Sequence, residues 1–216
     1  MTTLIKTTVS ILLAFALTAS HLKAQEPNSM LSDAYKSLVT ASGMGNLMVA
    51  DNKFTLIATK WNNDWAANYY AAYAAIYISL QETNAERKDQ LLDQADRYVE
   101  KLGSLRPSSD EGMVITAYAA FARFLVDPRN RWQKYLDLMN TNLDKAKKVN
   151  PNNPRVYYLE GIPVFNKPKL YGGGKDKAKP YFAKAKELFA QQDTSSIAKP
   201  YWGEKDNADY LVKCDQ

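Results

Sequence analysis

The stretch MNTNLDKAKKVNPNNPRVYYLEG, residues 139–161, joins the end of one amphipathic helix to the start of another. Met139, Leu143, Ala146 and Val149 are spaced four, three and three apart and so share one helix face. Asn150-Pro151 stops that helix, and Pro154, tolerated in a first helical turn, opens the next. The same spacing occurs in Ala95, Val99, Leu102 and Leu105 ahead of Pro107, and again in Ala178, Phe182, Ala185 and Leu188.

A slim residue, a large one four later, a third three further on and a proline stop form the pattern of a tetratricopeptide (TPR) second helix. The segment Asn153 to Gly161 resembles the matching first helix. The copies begin at Ala95, Met139 and Ala178, farther apart than the roughly 34 residues of the standard repeat, which makes this a long-helix version. The expected fold class is all-α, with antiparallel helix pairs stacked as a short TPR-like right-handed superhelix. No stretch alternates polar and apolar residues long enough to form a strand.

Outward from the junction, the reading places helix pairs at about 29–59, 64–107, 109–151 and 153–191, with a capping helix in 200–213. Gly43 and Gly45 separate the first two helices. Asp64 caps a helix from Trp65 to about Leu80, whose stripe of Trp65, Tyr69, Tyr73, Ile76 and Leu80 faces Ala67, Ala71, Ala74 and Ala75 on the other side. A helix apolar almost all round belongs in the middle of the molecule. Further helices are expected from Glu86 to Leu105, from Asp110 to Leu125, from about Trp132 to Val149 and from Asp176 to Gln191. Pro163 and Pro168 are expected to cut short the helix that begins near Pro154.

Four blocks carry a closer resemblance: Asp64 to Tyr73, Asn150 to Leu159, Tyr171 to Ala178, and Pro200-Tyr201-Trp202-Gly203. Through them the chain resembles a family of small exported TPR-like proteins of Bacteroidota-type Gram-negative bacteria. That family has no established biochemical activity, so the resemblance implies fold and location. A more distant likeness, to the helical-repeat periplasmic component of some substrate-binding-protein-dependent transporters, implies a small ligand.

Residues 1–24 read as a secretory signal: Lys6 supplies the positive start, Val9 to Leu17 the apolar run, and Leu22-Lys23-Ala24 the cleavage site before Gln25. Residues 25–216 are then expected to form a single TPR-like domain in the periplasm or outside the cell. The apolar run is shorter than the roughly 20 residues that span a bilayer, so membrane insertion is not expected. The sequence carries 28 Lys and Arg against 23 Asp and Glu, a formal charge of +5, and without the signal's Lys6 and Lys23 it is +3. That is too mild and too evenly mixed to suggest nucleic acid. One cysteine, Cys214, permits no internal disulfide.

The single histidine, His21, lies in the signal. A mature chain without histidine has no Ser-His-Asp or Cys-His arrangement and none of the usual zinc sites, so neither an enzyme, a metal site nor a cofactor is expected. Asp93 with Asp96, and Asp110 with Glu111, read as solvated faces and caps rather than acid–base pairs. Gly172-Gly173-Gly174-Lys175 fails as a phosphate loop because Asp176 follows the lysine and no strand precedes it. Its glycines are expected to turn the chain, with Asp176 capping the next helix.

The aromatic stripe is packing first. Its hydroxyls, however, need partners, and first helices line the concave side of stacked pairs. Tyr70, Tyr73, Tyr77, Tyr118, Arg123, Arg155 and Tyr158 are therefore the candidate binding surface, with the arginines suited to carboxylates. The expected function is a non-catalytic periplasmic scaffold that takes a protein or peptide segment of the cell envelope in this groove. The alternative is a small-molecule binder serving nutrient uptake. Trp202-Gly203 is expected to pack over the last pair and cap the array.

Overall fold

The structure is a computed structural model that describes residues 27–216. The signal, its cleavage point and His21 lie outside the described residues. Nine α-helices occur among these residues, without a strand. Helix α1 holds residues 27–39. It is followed by α2 (Met44–Lys60), α3 (Trp65–Gln81), α4 (Ala85–Leu105), α5 (Asp110–Val126), α6 (Pro128–Val149), α7 (Pro154–Asn166), α8 (Lys175–Phe189) and α9 (Glu204–Cys214), with a single 3-10 turn at Lys169–Tyr171.

Helices α3 to α7 each start on a side-chain cap. Asp64, Asn84, Ser109, Asp127 and Asn153 accept from the backbone N–H groups of Ala67, Arg87, Gly112, Asn130 and Arg155 at 2.8–3.3 Å. The other helices with a described start, α2, α8 and α9, begin at Gly43, Gly174 and Gly203, all at positive φ. Asp176 therefore does not cap α8. It sits exposed in the first turn, where Lys169 reaches it at 3.3 Å. Helix α6 begins at Pro128, earlier than the expected Trp132, because Asp127 caps it and proline suits a first turn. Helix α7 continues through Pro163 to Asn166.

The pairs α3 with α4, α5 with α6 and α7 with α8 pack along their lengths, and α3 touches α5 as α5 touches α7. Tyr35 of α1 packs on Tyr70 and Tyr73 of α3. The result is an all-α, TPR-like solenoid with first helices α1, α3, α5 and α7 in one layer and second helices α2, α4, α6 and α8 in the other. Most of the repeated positions form the seam between layers: Ala95, Leu102, Met139, Leu143, Ala146, Ala178, Phe182, Ala185 and Leu188 are buried, Val99 and Leu105 are partly buried, and Val149 at the end of α6 is exposed. Gly161 lets α7 and α8 meet, since a Cβ there would lie 2.7 Å from the Phe182 ring. Helix α3 is buried on nearly every side.

Candidate functional site

The first-helix tyrosines converge, and the chain itself lies against them. After α8 the chain returns through Pro200-Tyr201-Trp202-Gly203 along the inner side of the first helices. Tyr201 packs edge-on against Tyr35 of α1 at 5.2 Å between ring centres. The indole of Trp202 stacks on both Tyr73 of α3 and Tyr118 of α5, each centred 5.0 Å away, while those two rings lie 6.4 Å apart. Tyr158 of α7 meets it edge-on at 6.4 Å. Gly203, at φ 97°, fits against Tyr158 and Phe189 and turns the chain into α9.

A polar chain fixes the segment. Trp202 Nε1 donates to the Tyr69 hydroxyl at 2.8 Å, which donates to Glu111 Oε2 at 2.8 Å. Glu111 also accepts from Asn153 at 2.7 Å and from Arg155 at 2.9 Å. The Arg155 guanidinium donates onward to the Pro200 carbonyl, which also accepts from Gln192 at 2.8 Å. Arg155 has no exposed surface, and its plane lies 5.4 Å from the Trp202 ring centre. Burial pushes the Glu111 carboxyl above the usual range, and Arg155 opposes that shift. Burial likewise raises the phenols of Tyr73, Tyr118 and Tyr158, with neighbouring phenols and the Asp206 carboxylate adding to it. These tyrosines present neutral faces at physiological pH.

Six of the seven candidate residues are thus buried: Tyr70, Tyr73, Tyr118, Tyr158, Arg123 and Arg155. Tyr70 packs against Phe54 and Tyr35. Arg123 stands apart from the tyrosines. It pairs with Asp89, Asp93 and Asp96 of α4, while Arg131 grips Asp89 through two bonds of 2.7 and 2.8 Å. This holds α5 and α6 to α4, and it gives the acidic pair Asp93 and Asp96 a structural role.

Tyr77 is the candidate that reaches solvent. It lies in a cleft of about 540 Å³ with Met44, Leu47 and Arg87. A second cleft of about 480 Å³ shares Met44, Glu82 and Arg87 and extends to Met48 and Leu91. Methionine faces, one phenol and a largely exposed guanidinium surround this opening between α2, α3 and α4. Met44, Met48 and Arg87, which line these clefts, were not singled out by the sequence reading. Met44 and Met48 are four apart on one helix, which is the signal that was available. Among the described residues no group of three or more His, Cys, Asp or Glu side chains is placed to hold a metal ion. No helix there is long and apolar enough to cross a membrane.

No protein-family model matches the sequence, and no curated protein matches it either. Among solved structures, the HusA haemophore from Porphyromonas gingivalis is 31% identical, with a TM-score of 0.73 over 88% of this chain and 92% of that one. A thermophilic TPR protein of Thermus thermophilus is 20% identical, with a TM-score of 0.53 over 88% and 89%. The second likeness shows the fold alone. Neither protein is named as an enzyme.

Proposed function

Because the chain belongs to the same family as the HusA haemophore, we propose that it is an exported, non-catalytic carrier that binds haem or a closely related flat, carboxylated macrocycle. In this reading residues 25–216 act as one folded unit, in the periplasm or outside the cell, and serve nutrient uptake. The observation that carries it is the likeness to a haemophore over nearly the whole chain.

The joined clefts at Met44 and Arg87 suit such a ligand. Met44, Met48, Leu47 and Leu91 offer apolar faces to a macrocycle, and Arg87 is placed for a propionate. Residues 27–216 contain no histidine, so an axial ligand from them would be a tyrosine, methionine, lysine or Cys214. Tyr77 is the phenol at the opening. Burial raises its pKa, and Asp206 adds to the rise, so ferric iron would have to supply the charge that favours its phenolate.

Titrating the mature protein with ferric haem, and separately with iron-free protoporphyrin, tests the reading. A saturable shift of the Soret band is expected, weakened about tenfold in Arg87→Ala, the loss of one charge-assisted bond. Tyr77→Phe should alter the haem spectrum while leaving protoporphyrin binding intact. A spectrum that tracks free haem at every ratio would remove the proposal.

A second reading is favoured by a separate observation: the inner helices already hold an extended aromatic segment, their own residues 200–203. A scaffold that takes an envelope protein's segment against Tyr73 and Tyr118, with Tyr70, Tyr158 and Arg155 beside them, would have to displace Trp202. It expects a labelled peptide copying residues 196–206 to bind the Trp202→Ala protein and not the parent. Binding to neither would end it.

A further inference from the structure

The loop between α7 and α8 lifts two apolar side chains into solvent. Leu170 is 87% exposed and Tyr171 68%, on the 3-10 turn that follows Pro168. The turn is held, not slack. Gly173 N–H donates to the Pro168 carbonyl at 3.2 Å and Gly174 N–H to the Val164 carbonyl at 2.9 Å. The loop closes so tightly on its stem that a Cβ on Gly173 would lie 2.3 Å from the Lys167 carbonyl. Such a structure holds Leu170 and Tyr171 outward, where most of their surface is left in solvent.

Lysines surround the tip. Lys167, Lys169, Lys175, Lys177 and Lys179 are all exposed. Lys167, Lys169 and Lys175 line a common cleft beside the end of α9. Asp176 answers Lys169 at 3.3 Å and Asp215 answers Lys179 at 2.5 Å. Lys167, Lys175 and Lys177 have no ion pair among the described residues. The loop and the first turn of α8 thus carry three exposed lysines without an ion pair beside two exposed apolar side chains.

We propose that the Leu170–Tyr171 tip and the lysines around it are a docking site for an anionic lipid surface. Leucine suits the acyl boundary and tyrosine the headgroup level, while lysine heads stay at the phosphates on long apolar stems. A stable protein interface buries roughly 800 Å² on each side, and two side chains on a basic tip offer far less. A bilayer needs only an anchor and opposite charge. The contact is superficial and reversible, weakened by salt because the lysines are in water. It lies at the opposite end of the helix order from the Met44–Arg87 cleft, so it stands or falls independently of haem binding.

Co-sedimentation of the mature protein with vesicles tests this. The parent should pellet with vesicles containing a third phosphatidylglycerol, stay in solution with pure phosphatidylcholine, and be released by high salt. The triple variant Lys167→Gln, Lys175→Gln, Lys177→Gln should lose roughly a hundredfold in affinity, from three lost lysine contacts. Leu170→Ser with Tyr171→Ser, both exposed and so harmless to folding, should abolish binding to the same vesicles. Equal sedimentation with neutral and anionic vesicles, or anionic binding untouched by the tip variant, overturns the proposal. So does capture of an acidic protein by this face without vesicle binding.

Discussion

Arg155 is a fully buried cation whose counter-charge, Glu111, stands 44 residues away in sequence. Replacing it by methionine fills the volume but leaves the buried Glu111 carboxyl without its cation, which should cost about 3–5 kcal/mol in denaturant unfolding. Glu111 has the opposite relation to pH from a surface carboxylate. Its folded pKa is raised by burial, so its stabilising contribution is complete below the unfolded glutamate value of about 4.3 and is lost as pH rises through the folded value. The stability of the parent relative to Glu111→Gln should therefore fall between pH 4 and neutrality. A difference that rises with pH would contradict the burial argument. Arg123 and Arg155 looked from the sequence like hands for a ligand's carboxylate. Both hold carboxylates of the chain's own, at separations of 27 to 44 residues that no local pattern encodes.

The helices were legible because their faces repeat. Ala95, Met139 and Ala178 begin three copies of one spacing, and all three are buried between layers. The ends at Leu105 and Val149 were legible too, and one end was not. Pro163 was read as a stop, yet α7 passes through it, since packing Val164 and Phe165 against the core outweighs one lost backbone bond. The seam itself is intolerant of volume. Gly161→Ala would push a methyl into the Phe182 ring and should cost about 1–3 kcal/mol, measured by thermal melting, with much of it recovered when Phe182→Leu is added. No loss in the single variant would mean the pair can separate freely.

For the whole molecule, Trp202-Gly203 was expected to pack over the last pair, whereas Trp202 stacks on Tyr73 of α3 and Tyr118 of α5 and so fills the inner face. Nothing in Trp202 announces Tyr73 and Tyr118 as its neighbours, because ring stacking across so long a separation leaves no periodic trace. Trp202→Ala should cost about 3–5 kcal/mol and increase binding of a hydrophobic dye, whereas Trp202→Phe, which keeps a ring but loses the bond to Tyr69, should cost about 1–2 kcal/mol. Unfolding by urea distinguishes these, and a near-neutral alanine variant would show the segment to be superficial.

In stacked pairs each repeat ordinarily touches only its neighbours, so folding can start in any pair and spread. Here the bond from residue 202 back to residue 69 runs across almost the whole array. A chain emerging amino end first cannot fill its inner face until Trp202 has followed α8. Once made, that late contact turns a series of neighbours into a closed loop, so that loosening either end loosens both.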